Sequence, residues 1–564
     1  MVGIMKQLKI LLILAGLLVI FNLAAEELLL DIMFTNDIHG GMDRVEATFI
    51  NPEFPPILGG GGSHARYIKM VRDKADGVTR DNLLIDNGDF FMGRPLGTKT
   101  EGQAIVDYFN MVSYDYVLIG NHEYDLGEER LIELLEDAEF TTLGANIVFE
   151  DTKELVPYVK PYEIIDKMGV KIAIIGLTTS DTALMSFPDH IRGLEFLPPE
   201  EILGDLIAEV REKGADIVIV AGHMGLPYEP LEGFEERYGK NADPNRERRW
   251  GYDAQELAHE IPGIDVFIAG HMHRGFNEPW VDPLNHTLVF QGWAYGSSIA
   301  HVTLKIDQAT KTISGYELPS LYGGALISTF EEEFIPVPEV GAEIARQTAI
   351  AEEGMDDVIG VTEVYLSRAG VDAQNIIGNF VCDAILEYAE ADFAFINLGG
   401  IRGEIGVGAI TYRDIYNVMP FDNQLTVLEI EGTILKDILE TRVAGTRAGL
   451  RVAGITMVYS RRRDDFDRVT KLLIGGEPWQ ADKIYRVATS DFLVEGNAGL
   501  TLLTRIPEAQ IIRYETNLRD ALVAYVQNNS PIRTKMDNRW ARDDNSVPTK
   551  ELLQELQKIS TSLR

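Results

Sequence analysis

The sequence predicts an α/β protein of two domains. Three observations carry this. The chain has 564 residues, more than one ordinary core accommodates. Short runs of aliphatic and β-branched residues alternate with helical stretches from Leu28 onward. A stretch with two prolines and an acidic cluster, 328–339, interrupts that alternation past the middle.

The N-terminus reads as an export signal over 1–25. Lys6 and Lys9 precede or enter an apolar run from Leu8 to Phe21, and the small residues Ala24 and Ala25 come before Glu26-Glu27. The run is short for a membrane span of about 20 residues. The alternative is an uncleaved N-terminal anchor, the one way in which a membrane enters this reading. The expected location is outside the cytoplasm: periplasmic, extracellular or at the cell surface.

Strands are expected at Leu28–Phe34, Asn82–Asp86, Tyr116–Ile119, Lys171–Gly176, Asp216–Ala221 and Asp265–Ala269. Most end in a loop of Asp, Asn, His and Gly, which suggests a site at the carboxyl ends of the strands. Leu288–Gln291 and Ile299–Ile306 are read as later, antiparallel strands. The first domain is set at 26–325 and a linker with its helix at 326–356. A smaller α/β domain follows over 357–545, and the tail 546–564 is an amphipathic helix.

Hydrophobic content of 45% and charged content of 25% are those of an ordinary globular protein. The net charge of −37 argues against a general nucleic-acid binder. It leaves a small anionic substrate open, because bound divalent cations invert the local potential. The single cysteine, Cys382, sits in an apolar helical run and reads as a core residue.

Five loops hold the chemistry. They are Asp37-Ile38-His39-Gly40, Gly88-Asp89, Gly120-Asn121-His122-Glu123, Gly222-His223-Met224-Gly225 and Gly270-His271-Met272-His273. Five of the ten histidines lie in them. Each alone also reads as a capped turn or a loop histidine. In order, each after an apolar strand, they form a metal-ligand set. Imidazole with carboxylate and amide oxygen suits Zn²⁺, Mn²⁺, Fe or Ni rather than Ca²⁺, and the glycines let backbone approach closely.

This order resembles the calcineurin-like metallophosphoesterases. The string Gly120-Asn121-His122-Glu123-Tyr124-Asp125, with Gly144-Ala145-Asn146-Ile147 and Gly176-Leu177-Thr178-Thr179, is similar to their 5′-nucleotidase branch. The resemblance covers the chain from Asp31 to about Asn528. It implies a four-layer α/β/β/α metallophosphatase domain and a smaller α/β substrate-binding domain, with the site between them.

It also implies roles. Asp37, His39 and His273 hold one divalent metal, and Asn121, His223 and His271 hold a second. Asp89 bridges the two. The metals are Zn, Mn, Co, Fe or Mg. Such a pair, about 3.5–4 Å apart, clamps attacking and leaving oxygens and supplies hydroxide near neutral pH. His122 is the catalytic residue that is not a ligand, held by Asp125 as imidazolium; a helix cap is the other reading of Asp125.

In the second domain Asn397-Leu398-Gly399-Gly400-Ile401-Arg402 resembles the family's substrate loop, with Arg402 on the phosphate. The start of the helix at Asn375 to Asn379 resembles the element that flanks it. Pro420-Phe421-Asp422-Asn423 and Asp491-Phe492-Leu493 match the loops bearing two base-stacking aromatics, Phe421 and Phe492. The expected substrate-binding set is therefore Asn379, Asn397, Gly400, Arg402, Phe421, Asn423 and Phe492. The expected activity is release of phosphate from a nucleotide or another small phosphoester, nucleotide sugars and cyclic nucleotides among them.

Two departures stand out. Where the family has a ribose-binding Asp, this chain has Ala498, with Asn497 or Glu495 as the candidate replacements. Where members often carry an arginine three residues before Asn375, it has Asp372, with Arg368 close by. The charged stretch 228–250 starts just after a metal loop and reads as either a rim element or a solvated loop.

Overall fold

The computed structural model describes residues 27–544 apart from 48, 49, 52, 241, 243–250, 320–322, 372, 373, 445–448 and 538. The segment read as an export signal, Asp372, the end of the charged stretch and the C-terminal tail lie outside the described residues. No described helix is long and apolar enough to cross a membrane.

The first domain contains two sheets. One runs Thr312–Glu317, Ile299–Asp307, Glu27–Thr35, Arg80–Asp86, Tyr116–Leu118, Thr141–Leu143. The other runs Trp280–Val281, Leu288–Gln291, Val266–Ala269, Ile217–His223, Val170–Thr178, Tyr162–Lys167. Within each sheet the strands that feed the metal loops run parallel to one another. Glu27–Thr35 pairs parallel with Arg80–Asp86, and Ile217–His223 with Val266–Ala269. Their carboxyl ends therefore fall on one edge.

Strand periodicity sorts the side chains into layers. Leu30, Ile32 and Phe34 point into a core shared with Ile172, Ile174, Ile217 and Ile219 of the other sheet. Met33, Leu84 and Val117 point the other way, onto the helices Gly60–Arg72 and Gln103–Val112. Ile175, Val218 and Val220 pack on Leu203, Ile207 and Leu257 of the helices Pro199–Glu212 and Ala254–Glu260. The order is helix, sheet, sheet, helix.

One strand differs from its reading. Leu288–Gln291 is parallel to Val266–Ala269 and antiparallel only to Trp280–Val281. The two-residue outer strand is too short to read as a strand, and it lets the chain reverse and insert Leu288–Gln291 between it and Val266–Ala269.

The segment 328–337 is fastened to the first domain. Ser63 Oγ donates to the Phe334 carbonyl at 2.6 Å, and the Val337 amide donates to Gly62 at 2.9 Å. The helix Pro338–Ala351 follows, with Pro338 in its first turn where no amide is needed. The second domain is a mixed sheet of Leu450–Ala453, Phe393–Asn397, Ile484–Ser490, Gln424–Glu431 and Ile511–Asn517, packed on helices that include Ile376–Tyr388 and Leu518–Asn529.

Candidate metal centre and substrate loops

The two sheets deliver their loops to one place. One donor atom from each of Asp37, His39, Asp89 and His273 lies within 4.8 Å of the others, and the same holds for Asp89, His223 and His271. Asp89 belongs to both groups. Its Oδ2 is 3.0 Å from His223 Nε2 and 3.8 Å from His39 Nε2. His39 Nε2 and His273 Nε2 are 2.9 Å apart, and His273 Nε2 is 3.4 Å from Asp37 Oδ1. On the other side His271 Nδ1 is 3.3 Å from His223 Nε2.

The backbone is bent to make this possible. Asp37, His39, Asp89, His271 and His273 all have φ between 49° and 71°, a region that non-glycine residues rarely enter. Five such residues at one site are strain held by the surrounding structure. Two glycines have a steric reason. A Cβ on Gly120 would stand 2.3 Å from Asp89 Oδ1, and one on Gly88 would stand 2.6 Å from the Gly120 nitrogen.

A second set of side chains fixes the first. His39 Nδ1 is bonded to the Met92 carbonyl, and His223 Nδ1 to the Asn87 carbonyl at 2.7 Å, so each ring turns Nε2 inward. Asn87 Nδ2 donates to Gly222 at 2.7 Å and Ile268 at 3.2 Å, tying one sheet to the other. Asn36 donates to Asp37 at 2.6 Å and to Gly292 at 3.2 Å. Glu123, fully buried, accepts the amides of Asp89 and Phe90 at 2.8 Å each and of Gly120 at 2.7 Å. Sequence reasoning did not single out Asn36, Asn87 or Glu123. Their only signal is a polar residue within two positions of a ligand.

The residues fit divalent cations. Asn121 Oδ1 is buried and has no hydrogen-bond partner among the described residues, an arrangement that an isolated buried acceptor does not keep without a ligand. Burial pushes the imidazoles of His39 and His271 down to about 3, leaving their lone pairs free. Burial also lowers His223, but the adjacent Asp89 carboxylate overrides it and drives the ring up to about 10. His223 would give up that proton on serving as a metal ligand.

His122 stands beside these groups. Its amide donates to Asp89 Oδ1 at 2.8 Å and its Nδ1 to Asp125 Oδ2 at 2.6 Å. Burial lowers its pKa, and Asp125 and Asp89 more than offset that, so the ring is held above its usual value.

The second domain meets this centre through its loops. The Phe421 ring is stacked on His122 at 5.5 Å and 13°, and Arg402 Cζ lies 5.2 Å from the centroid of the same Phe421 ring. Arg402 bears electrostatically on His39, His122, His271 and His273. Its Nε and Asn397 Oδ1 are buried without partners among the described residues. Gly400 is buried, and a Cβ there would stand 3.1 Å from Asn397 Oδ1. A cleft of about 1350 Å³ is lined by His39, Arg94, Tyr295, Arg402 and Phe421.

Other expected substrate residues have structural partners. Phe492 meets Phe187 of the first domain edge-on at 5.8 Å, and Asn497 donates to the Phe492 carbonyl at 3.0 Å. Glu495 pairs with Arg513 at 3.5 Å. Asn379 is buried in its helix and donates to the Lys535 carbonyl at 3.1 Å. Asn423 is buried, and its carbonyl accepts the Leu518 amide at 2.9 Å. Arg519, unmarked by the sequence, donates to the carbonyls of Met419, Pro420 and Phe421 at 3.1, 2.9 and 3.0 Å and pairs with Asp422, which pins the Phe421 loop.

Comparison with known proteins agrees with this geometry. Over 550 residues the chain is 27% identical to a 5′-nucleotidase of Vibrio cholerae, covering 91% of this chain and 92% of that protein. It is 26% identical over 486 residues to Endonuclease YhcR of Bacillus subtilis, covering 83% of this chain but only 37% of the relative's length. The fold matches the crystal structure of a 5′-nucleotidase precursor from Thermus thermophilus at a TM-score of 0.76 and 24% identity, over 92% of this chain and all of that one. Residues 30–275 match the calcineurin-like phosphoesterase family, and residues 358–505 match the 5′-nucleotidase C-terminal domain. With both family domains in order along one chain, and the buried Asp and His cluster at their junction, the protein belongs to the two-domain 5′-nucleotidase family of metal-dependent phosphoester hydrolases.

Proposed function

We propose that the protein is an exported phosphohydrolase that releases phosphate from nucleoside 5′-monophosphates with two divalent metal ions. The observation that carries this is Arg402, whose buried Nε has no partner among the described residues and whose charge bears on His39, His271 and His273 of the two Asp and His groups that share Asp89. Asp37, His39 and His273 would hold one ion and Asn121, His223 and His271 the other. Bound ions supply Lewis-acid polarisation of the phosphoryl group and an activated water.

The chain's own residues do the rest. The guanidinium of Arg402 holds two phosphoryl oxygens in its planar fork. His122 keeps Nδ1 on Asp125, so the proton on Nε2 faces the substrate oxygens and stabilises their charge or passes to the leaving group. Phe421 and Phe492 offer two ring faces to a nucleobase. Export rests on the N-terminal apolar run followed by Ala24-Ala25.

The test is a phosphate-release screen over 5′-nucleotides, nucleotide sugars, cyclic nucleotides and glycerol phosphate with Mn²⁺, Zn²⁺, Co²⁺ and Mg²⁺. Turnover of 5′-AMP well above that of glycerol phosphate is expected. The second reading, hydrolysis of a non-nucleotide ester, is favoured by Ala498, which offers no acceptor to a ribose. Good turnover of glycerol phosphate with none of any nucleotide would establish it instead.

A further inference from the structure

The loop after the strand Leu288–Gln291 supplies none of the assigned ligands, yet one of its residues touches all three that would hold one of the two ions. The Tyr295 amide donates to the Asp37 carbonyl at 2.8 Å. The Tyr295 ring centroid lies 5.5 Å from that of His39, at 35°, and 5.3 Å from that of His273, nearly perpendicular at 88°. Asp37, His39 and His273 form one metal group with the shared Asp89. The other group has no such cover among the described residues: His223 and His271 make their ring contact with each other, at 5.1 Å.

Tyr295 is held there against its own preference. Its φ is 58°, in the left-handed region that a bulky side chain rarely enters. Gly and Asn suit that conformation better, but neither supplies a ring. The surrounding backbone fixes it. A Cβ on Gly41 would stand 2.4 Å from the Tyr295 carbonyl oxygen, and one on Gly296 would stand 1.9 Å from the Gly41 oxygen, so the two loops clasp backbone to backbone. Arg94 ties the ring to the same group. Its Cζ lies 5.9 Å from the Tyr295 centroid, within reach of a cation–π contact, and its amide donates to the His39 carbonyl at 2.7 Å.

The need for the ring is clearest at His273. His39 and His223 are oriented by backbone carbonyls on Nδ1. Among the described residues the polar contacts of His273 are both on Nε2, to His39 and Asp37, so nothing of the kind fixes its outer nitrogen. Packing must orient that imidazole instead, and the Tyr295 ring is packed against it. The same ring lines the cleft beside His39, which is only 3% exposed. An imidazole that can neither turn nor be hydrated gives up its ion slowly.

We infer, on the two-ion reading above, that Tyr295 is a positioning residue for the ion that Asp37, His39 and His273 would hold, and that its ring slows the release of that ion alone.

Release of Zn²⁺ from the loaded full chain into excess EDTA, followed by elemental analysis of the protein over time, tests it. Tyr295→Asn and Tyr295→Gly both suit the left-handed backbone and remove the ring, so either serves if the other does not fold. In each, one ion should leave about 10–100-fold faster than in wild type, the range in which losing a group that orients a ligand lowers metal affinity. The other ion should leave at the wild-type rate. Tyr295→Phe keeps the ring and should match wild type. Asn121→Ala, which weakens the second group, tells the ions apart: the ion it retains should be the one that Tyr295→Asn speeds. Unchanged release of both ions in Tyr295→Asn overturns the inference. Equal acceleration of both overturns it too, because general loosening gives that result, as does release from Tyr295→Phe as fast as from Tyr295→Asn. A wild-type chain that holds a single ion defeats the two-ion reading instead. Tyr295→Asn then still decides: faster release of that ion upholds the role of the ring, and unchanged release overturns it.

Discussion

The two halves of the candidate site are built differently. In the first domain every metal-group residue sits within a few residues of a strand end, and five of them have left-handed backbone held by neighbouring loops. Glu123 and Asn87 join those loops to one another and to both sheets. In the second domain Arg402, Phe421 and Phe492 stand on separate loops; Phe421 and Phe492 meet the first domain through ring contacts at 5.5 and 5.8 Å, and Arg402 lies over Phe421. The half assigned to chemistry is over-determined. The half assigned to substrate choice hangs on a few anchors, Arg519 chief among them. Substitutions in the first half should abolish turnover whatever the substrate, and those in the second should change which substrate is preferred.

The sharpest way to break that contrast is Asp89→Asn. One carboxylate serves both metal groups, so its loss should take metal content from two ions per chain to one or fewer and turnover to background on every ester. Elemental analysis after metal loading checks the first and phosphate release the second. Two ions retained in the variant would mean that Asp89 does not bridge.

His122→Ala comes next. The side chain is not in either metal group, so both ions should stay while kcat falls about 10²–10⁴-fold, the usual contribution of a proton-donating or charge-stabilising group. Asp125→Asn should act in the same direction and more weakly, because it removes the partner of Nδ1 and leaves the ring in place. Loss of metal from His122→Ala would make that residue a ligand.

Much of the first half was legible in the sequence and much of the second was not, for a physical reason. Metal ligands need particular residue types at strand ends, and those survive as local strings such as Gly120-Asn121-His122. What holds them does not. Asn87 meets the Ile268 carbonyl across 181 positions of sequence, and nothing in either segment records the approach. The same applies to Arg519 and to the stack of Phe421 on His122. Leu288–Gln291 shows the limit for topology: its residues read as a strand, but its direction depends on the two-residue strand Trp280–Val281.

Arg402→Ala and Phe421→Ala test the second half against itself. Arg402→Ala should lower kcat/KM on every phosphomonoester, since it removes charge-assisted hydrogen bonds of about 1.5–3 kcal/mol each. Phe421→Ala should be selective. A stacked base contributes about 1–3 kcal/mol, so the loss should appear in KM for 5′-AMP and not for glycerol phosphate. Equal losses on the two substrates would show that the Phe421 ring acts through His122 rather than on a base.

The smallest effect is expected at Ala498, and it decides what the second half reads. Ala498 has φ of 54° in the turn Asn497–Gly499, which packs near the first-domain helix Thr182–Met185. Asp tolerates that left-handed conformation better than Ala does, because its short polar side chain bonds locally. Ala498→Asp should therefore fold with an unchanged or slightly raised Tm. Neither neighbour substitutes freely for the absent carboxylate: Asn497 spends its amide on Phe492, and Glu495 is paired with Arg513. Wild type should thus hydrolyse 5′-AMP and its 2′-deoxy analogue with similar kcat/KM. A site built to accept from a hydroxyl rejects the analogue lacking it, since its polar group is then left unpaired. Ala498→Asp should accordingly open a preference for the ribonucleotide of roughly tenfold, about the value of one hydrogen bond to a charged group. The measurement is kcat/KM for both nucleotides in both proteins. A strong ribonucleotide preference already present in wild type would show that another residue reads the sugar, and would place Asn497 first among the candidates.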